Sequence, residues 1–236
     1  VAILFSPLVA AAPVPRAAPA LLSLHAPFTA SAHERGYIAQ TPDSPCTHAL
    51  IQVRPSLALT TGFGTLEARA SAVSCGGAGL GNYSYAEAGF GVASMAFPAN
   101  VSATQHVEAK WRVVYGAAID VQGTNATLNG LASYSIEVST YLYDATTATL
   151  WGANTTILAA GSVGYGNGSS HIVSGVAQAT TSANLPLIAG HVYHVVTYLI
   201  VWLTAVAAGG AGDRSAVVVD LASNGNGATL FALRLR

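Results

Sequence analysis

The chain has 236 residues, nine Lys and Arg against ten Asp and Glu, and a net charge of −1. This balance gives no basic stripe and so excludes the electrostatic footprint of a nucleic-acid binder. Charged residues make up 8% and hydrophobic residues 52%, whereas soluble domains carry about 25% charged residues. So little charge conflicts with ordinary cytosolic solubility. It fits hot, acidic or saline water, or a subunit whose surface is buried in an assembly. Much of the apolar content is Ala, which surfaces tolerate.

The chain opens on Val1, Ala2, Ile3, Leu4 and Phe5, followed by Ser6. Residues 1–12 resemble the apolar core of a secretion signal, and Ala18-Pro-Ala20 has the form of a cleavage site. The expectation is that residues 1–12 belong to the mature protein, exposed by an earlier cut. Pro7, Pro13, Pro15 and Pro19 forbid a helix and favour an extended path. Residues 1–30 therefore read as an extended arm with a Pro-rich linker, in which Leu21–His25 has a strand pattern. Residues 31–236 read as one β domain.

From about residue 35 the pattern is β. Val107, Ala109, Trp111, Val113 and Tyr115 alternate with His106, Glu108, Lys110, Arg112 and Val114. That is a strand with one face buried. Tyr134, Ile136, Val138, Thr140 and Leu142 repeat the alternation, and the chain then turns at Asp144 into a strand over 148–151. Further strands are predicted at 47–53, 65–74, 83–96, 171–179, 192–206, 215–222 and 228–235. Asn224-Gly-Asn-Gly227 predicts a hairpin between the last two, because Asn and Gly accept positive φ. The run 192–208 has no formal charge. Its length also suits a short membrane helix, but its β-branched and aromatic residues favour a strand central in a sheet. About ten strands joined by short Gly and Asn turns predict a β-sandwich, Ig-like or jelly-roll-like.

Cys46 and Cys75 are the two cysteines. One disulfide between them would close a loop of about 30 residues, worth roughly 3.5 kcal/mol; the alternative is two buried thiols. Five N-x-Ser/Thr tripeptides fall at Asn82, Asn100, Asn125, Asn154 and Asn167, with none before or after. Chance predicts about one or two. Each maps to a predicted turn, so N-linked glycans are expected there and the ends of the chain are left bare. Asn, Ser and Thr are also turn residues in their own right.

Chemistry is sparse. There is no Gly-x-Ser-x-Gly elbow, no acidic cluster for calcium, and no second Cys/His pair beside Cys46 and His48 for zinc. His191 and His194, three apart, are expected on opposite faces of a strand. Glu108 and Glu137 could oppose each other on neighbouring strands as a glycosidase-like pair, but both sit on polar faces where charges are solvated. The Gly-rich stretch 161–168 precedes no helix that would cradle a phosphate. The expectation is a non-enzyme with no metal or cofactor.

In layout, the apolar residues 1–6, the five sequons and the charge-poor β pattern resemble the donor-strand pilins and extracellular threads of archaea. The resemblance implies a glycosylated subunit outside the cell that polymerises head to tail. Residues 1–5 of one copy would enter a neighbour's sheet, at the sheet holding 192–206 or 228–235. It further implies self-association, contact with surfaces or other cells, and no membrane span. The alternative is a secreted carbohydrate-binding or adhesive module stacking through its tyrosines and Trp111, Trp151 or Trp202. Trp111 reads as core and Trp151 as the most exposed of the three.

Overall fold

The computed structural model describes residues 22–23, 29–39, 50–58, 63–75, 81–94, 96–123, 130–164, 169–208 and 211–235. They form thirteen strands in two antiparallel sheets, with no helix among the described residues. Sheet A holds β1 (Leu22–Ser23), β3 (Leu50–Ala58), β4 (Phe63–Cys75), β7 (Ala103–Gln122), β10 (Ser169–Leu187), β12 (Ala211–Asp220) and β13 (Gly227–Leu235). Sheet B holds β2 (Thr29–Ala39), β5 (Gly81–Ala93), β6 (Phe97–Pro98), β8 (Leu131–Asp144), β9 (Thr149–Gly164) and β11 (Val192–Ala208). The fold is a β-sandwich, as the alternation predicts. Of the arm, residues 1–30, residues 1–21 and 24–28 lie outside the described residues, but sheet pairing begins before residue 31. β1 pairs with the end of β13, and β2 starts at Thr29 against β5.

Alternation fixes which side faces in. On β8, Tyr134, Ile136, Val138, Thr140 and Leu142 are buried; on β7, Val107, Ala109, Trp111 and Val113 are buried, with Tyr115 half-buried. Alanine serves both places: Ala118, Ala145, Ala160 and Ala189 are exposed, yet many others are core. Ala68, Ala70 and Ala72 on β4 and Ala86 and Ala88 on β5 are wholly buried. Their short side chains leave space for large neighbours such as Phe90 and Leu66 in the same core.

β11 runs from Val192 to Ala208 between β5 and β8, central in sheet B and not a membrane helix. Among the described residues no helix is long and apolar enough to cross a membrane.

The predicted hairpin at 224–227 does not form. β12 and β13 do not pair with each other; both run antiparallel to β7, one against residues 116–122 and the other against 107–114. β7 is 20 residues long, and two strands of 10 and 9 residues lie end to end along it. The turn chemistry is nonetheless present. Asn224 and Gly225 have φ of 55° and 82°, and Asn226 N–H donates to the Ser223 carbonyl at 2.8 Å. This is a type I′ geometry, placed in a loop that steps the chain from one strand to its continuation. Asp220 holds the loop by accepting from Ala222 and Ser223 N–H and from the Ser223 hydroxyl. Burial opposes ionisation of Asp220, but these hydrogen bonds outweigh it and lower its pKa.

Three features escape the sequence pattern. β2 holds three Ala, Gly36, Glu34 and Arg35 among its 11 residues, which carry little strand propensity. β9 and β10 extend to 16 and 19 residues, well past the predicted spans 148–151 and 171–179. β10 even contains Pro186, tolerated because the strand is at a sheet edge.

Candidate interaction surface

The Glu108–Glu137 pair is not assembled. Glu108 lies on β7 in sheet A and Glu137 on β8 in sheet B, so they never oppose each other. Neither is simply solvated. Glu108 sits half-buried, 3.4 Å from Lys110 and 3.8 Å from Arg234, and Glu137 accepts from Ser135 at 2.7 Å. Among the described residues no group of three or more His, Cys, Asp and Glu is arranged to hold a metal.

His191 precedes β11 instead of lying within it, and its Nδ1 is 2.7 Å from Oδ2 of the fully buried Asp144. His194 instead contacts the Ser94 carbonyl at 2.9 Å. An Asp–His pair is half of a hydrolase triad, but the other bonds of Asp144 go to the turn it closes, at Thr146 and Thr147. Burial alone would raise the Asp144 pKa; the bonds from His191, Thr147 and Thr146 outweigh it and hold the carboxyl below its ordinary value. The pair pins the β8–β9 turn to the start of β11.

The sequons scatter in structural role. Asn100 is exposed in the bend between β6 and β7, and Ser102 of that tripeptide accepts the Ala189 N–H at 3.1 Å. Asn82 and Asn154 are not in turns: Asn82 pairs with Ala207 near the start of β5, and Asn154 pairs with Thr140 within β9. Asn154 is exposed, and its amide donates to the Ser182 carbonyl at 2.6 Å, joining β9 to β10 across the two sheets. Asn125 and Asn167 lie outside the described residues. So do Cys46 and residues 1–5, the proposed donor segment, while Cys75 is the last residue of β4.

The edges of the sandwich are more informative. β9 ends sheet B and β10 ends sheet A, and each pairs on one side only among the described residues. The two run beside each other, forming a seam. Tyr115, Leu158, Ala159, Val163 and Ala179 pack on the core from this side but stay only partly buried. Glycines make the seam. A Cβ on Gly161 would sit 2.6 Å from the Tyr134 ring, and one on Gly175 2.9 Å from the Tyr115 hydroxyl. The two rings, 6.4 Å apart, thus fill space that side chains on the edge strands would otherwise occupy. Outside the seam, Ile157, Ile172 and Val176 are 62%, 80% and 59% exposed. Residues 161–164 of the Gly-rich stretch 161–168 continue β9 rather than forming a turn, residues 165–168 lie outside the described residues, and Gly175 is an isolated glycine inside β10, a signal of close approach.

The earlier expectation for the acceptor changes accordingly. β11 is paired along both sides. β13 is paired along β7, and at its ends with β4 and β1. Neither offers a full open edge among the described residues, whereas β9 and β10 are each paired on one side only.

The two outward faces differ in chemistry. That of sheet A carries Arg69, Lys110, Arg112, Arg214 and Arg234. That of sheet B carries Tyr85, Trp202, Tyr198, Tyr141 and Tyr143, with Glu87 and Glu137. Tyr85 packs on Trp202 at 5.8 Å, Tyr141 on Tyr198 at 5.7 Å, and Tyr143 on His194 at 6.2 Å. Trp111 is core, at 1% exposure, and Trp151 is the exposed tryptophan. No protein-family model matches the chain, and no curated protein is similar to it.

Proposed function

We propose that the chain is a structural subunit of an extracellular, glycosylated filament, assembled when residues 1–5 of one copy add as a strand along the β9–β10 seam of the next. The observation that carries this reading is the seam: two long edge strands, each paired on one side only among the described residues, flanking apolar side chains that remain partly uncovered. An open, long, apolar edge is a template for another strand. Val1, Ile3, Leu4 and Phe5 supply apolar side chains to fill it, each worth roughly 1.5–3 kcal/mol when fully buried. Head-to-tail addition of this kind does not close on itself, so it propagates a fibre. The five sequons and the scarcity of charge support a location outside the cell.

The test is deletion of residues 1–6. The truncated chain should fold, with an unchanged far-ultraviolet spectrum, and electron microscopy should show no fibres. Fibres of normal length from the truncated protein would overturn the reading. Intact mass before and after deglycosylation checks the sugars, and a mass equal to the bare polypeptide would remove the main support for an extracellular assignment.

A further inference from the structure

Asn100 and Asn154 are the sequon asparagines whose side chains are described, and they are held in opposite ways. Asn154 lies inside β9, paired with Thr140 of β8. Its Nδ2 donates to the Ser182 carbonyl of β10 at 2.6 Å. The middle residue of the tripeptide is also engaged, since the Thr155 and Ser139 hydroxyls bond at 2.8 Å. Thr156, whose hydroxyl completes the sequon, is half-buried. Here β9 and β10 meet across the two sheets. Thr181 of β10 bonds Thr140, and Leu185 of β10 lies so close to Gly152 that a Cβ there would clash with it.

Asn100 is exposed in the bend between β6 and β7, and Val101 beside it is 66% exposed. The bend is fastened on both sides of them. Ala99 N–H donates to the His191 carbonyl at 2.9 Å, and the Ala99 carbonyl accepts the Gly190 N–H at 2.8 Å. On the other side the Ser102 hydroxyl accepts the Ala189 N–H at 3.1 Å. Asn100 and Val101 project as a two-residue tip from a fixed base.

We propose that Asn100 carries an N-linked glycan, whereas Asn154, despite its sequon, stays bare and clasps β9 to β10. This rests on the glycosylated, extracellular reading above and tells its sites apart. Glycosylation joins the amide nitrogen to the anomeric carbon of an activated sugar, such as a glycosyl diphosphate. The new N–C bond replaces the C–O bond to phosphate; the diphosphate leaves with the electron pair and the nitrogen gives up one proton. The transferring enzyme must surround the amide, which a surface loop permits. At Asn154 the pairing with β8 would have to open and the nitrogen would have to leave Ser182. A sugar fixed there before folding would need room beside Leu185, which already excludes a Cβ two residues earlier on β9. A bare Asn154 also keeps sugar off the seam.

Glycopeptide mass spectrometry of the native full-length chain reads each site. The expected result is sugar on the peptide holding Asn100 and an unmodified Asn154. Sugar on Asn154, or a bare Asn100 in a chain glycosylated elsewhere, overturns the inference and leaves the filament reading standing. A chain with no sugar at any site overturns the inference and the glycosylated reading together. Two variants separate the clasp from the sugar. Thr156→Val ends the sequon and leaves the Asn154 amide in place, so the mass of attached sugar should not change; a loss of sugar would show that Asn154 is occupied. Asn154→Asp turns the donor into an acceptor facing the Ser182 carbonyl. It should raise the ratio of unfolded to folded chain about tenfold at fixed denaturant. An Asn154→Asp chain as stable as the native one would reject the clasp.

Discussion

One hydroxyl, that of Thr197, ties the two sheets together at the centre of the core. It accepts from Trp111 Nε1 at 2.9 Å, donates to the Ser139 carbonyl at 3.0 Å and lies 3.4 Å from the Thr140 hydroxyl, which also bonds Thr181. Trp111 and Thr181 come from sheet A, Thr140 and Thr197 from sheet B. Thr197→Val keeps the shape and removes the oxygen, leaving a buried indole N–H unpaired. The expected loss is about 1–3 kcal/mol, read as a lower denaturant midpoint with an unchanged slope. That Trp111 is core was legible from the alternation along β7. Its partner was not, because 86 residues separate them and no local pattern encodes which layers meet. Asp144 makes a second prediction at this scale. Its folded pKa is depressed, so its contribution is present above the ordinary value of 3.8 and is lost as pH falls through the lowered one. The melting temperature of the native chain should exceed that of Asp144→Asn at pH 6, and the gap should close in strong acid. A gap constant with pH would show that the carboxylate's charge contributes nothing.

At the scale of elements, the sequence is read best where burial is one-sided. The spans of β8 and β11 follow directly from alternation and from the uncharged run 192–208. The junction of β12 and β13 was misread because Asn-Gly specifies a turn conformation and not what the turn connects; only the length of β7 decides that. The β9 and β10 extensions were missed because Ala, Gly, Ser and Thr along them give no period. Cys75 is the last residue of β4, while Cys46 lies outside the described residues, so the Cys46–Cys75 disulfide expected from the sequence is open to a direct test. Peptide mapping without reductant should recover the two cysteines linked. Cys46→Ser should lower stability by about 2–4 kcal/mol in oxidised protein and by nothing once the native chain is reduced. Two freely alkylated thiols in native material would reject the pairing.

For the whole molecule, the distribution of charge decides how assembly responds to salt. The described ion pairs made by Lys and Arg lie on sheet A: Lys110 and Arg234 with Glu108, and Arg214 with Asp120 at 3.8 Å. Surface pairs such as Arg214–Asp120 contribute about 0–1 kcal/mol and are screened by salt. The contacts proposed for assembly use none of them. The seam offers backbone groups and Tyr115, Leu158, Ala159, Val163 and Ala179. Screening shortens the reach of charge from about 30 Å at 0.01 M to about 3 Å at 1 M salt, so an assembly held by ion pairs would dissolve over that range. Apolar burial does not weaken under the same change, and excluded salts such as sulfate strengthen it. The fraction of protein sedimenting as fibres should therefore stay level from low to high sodium chloride and rise with sulfate. Fibres that dissolve in sodium chloride alone would place the assembly contacts on the charged face of sheet A, against the seam.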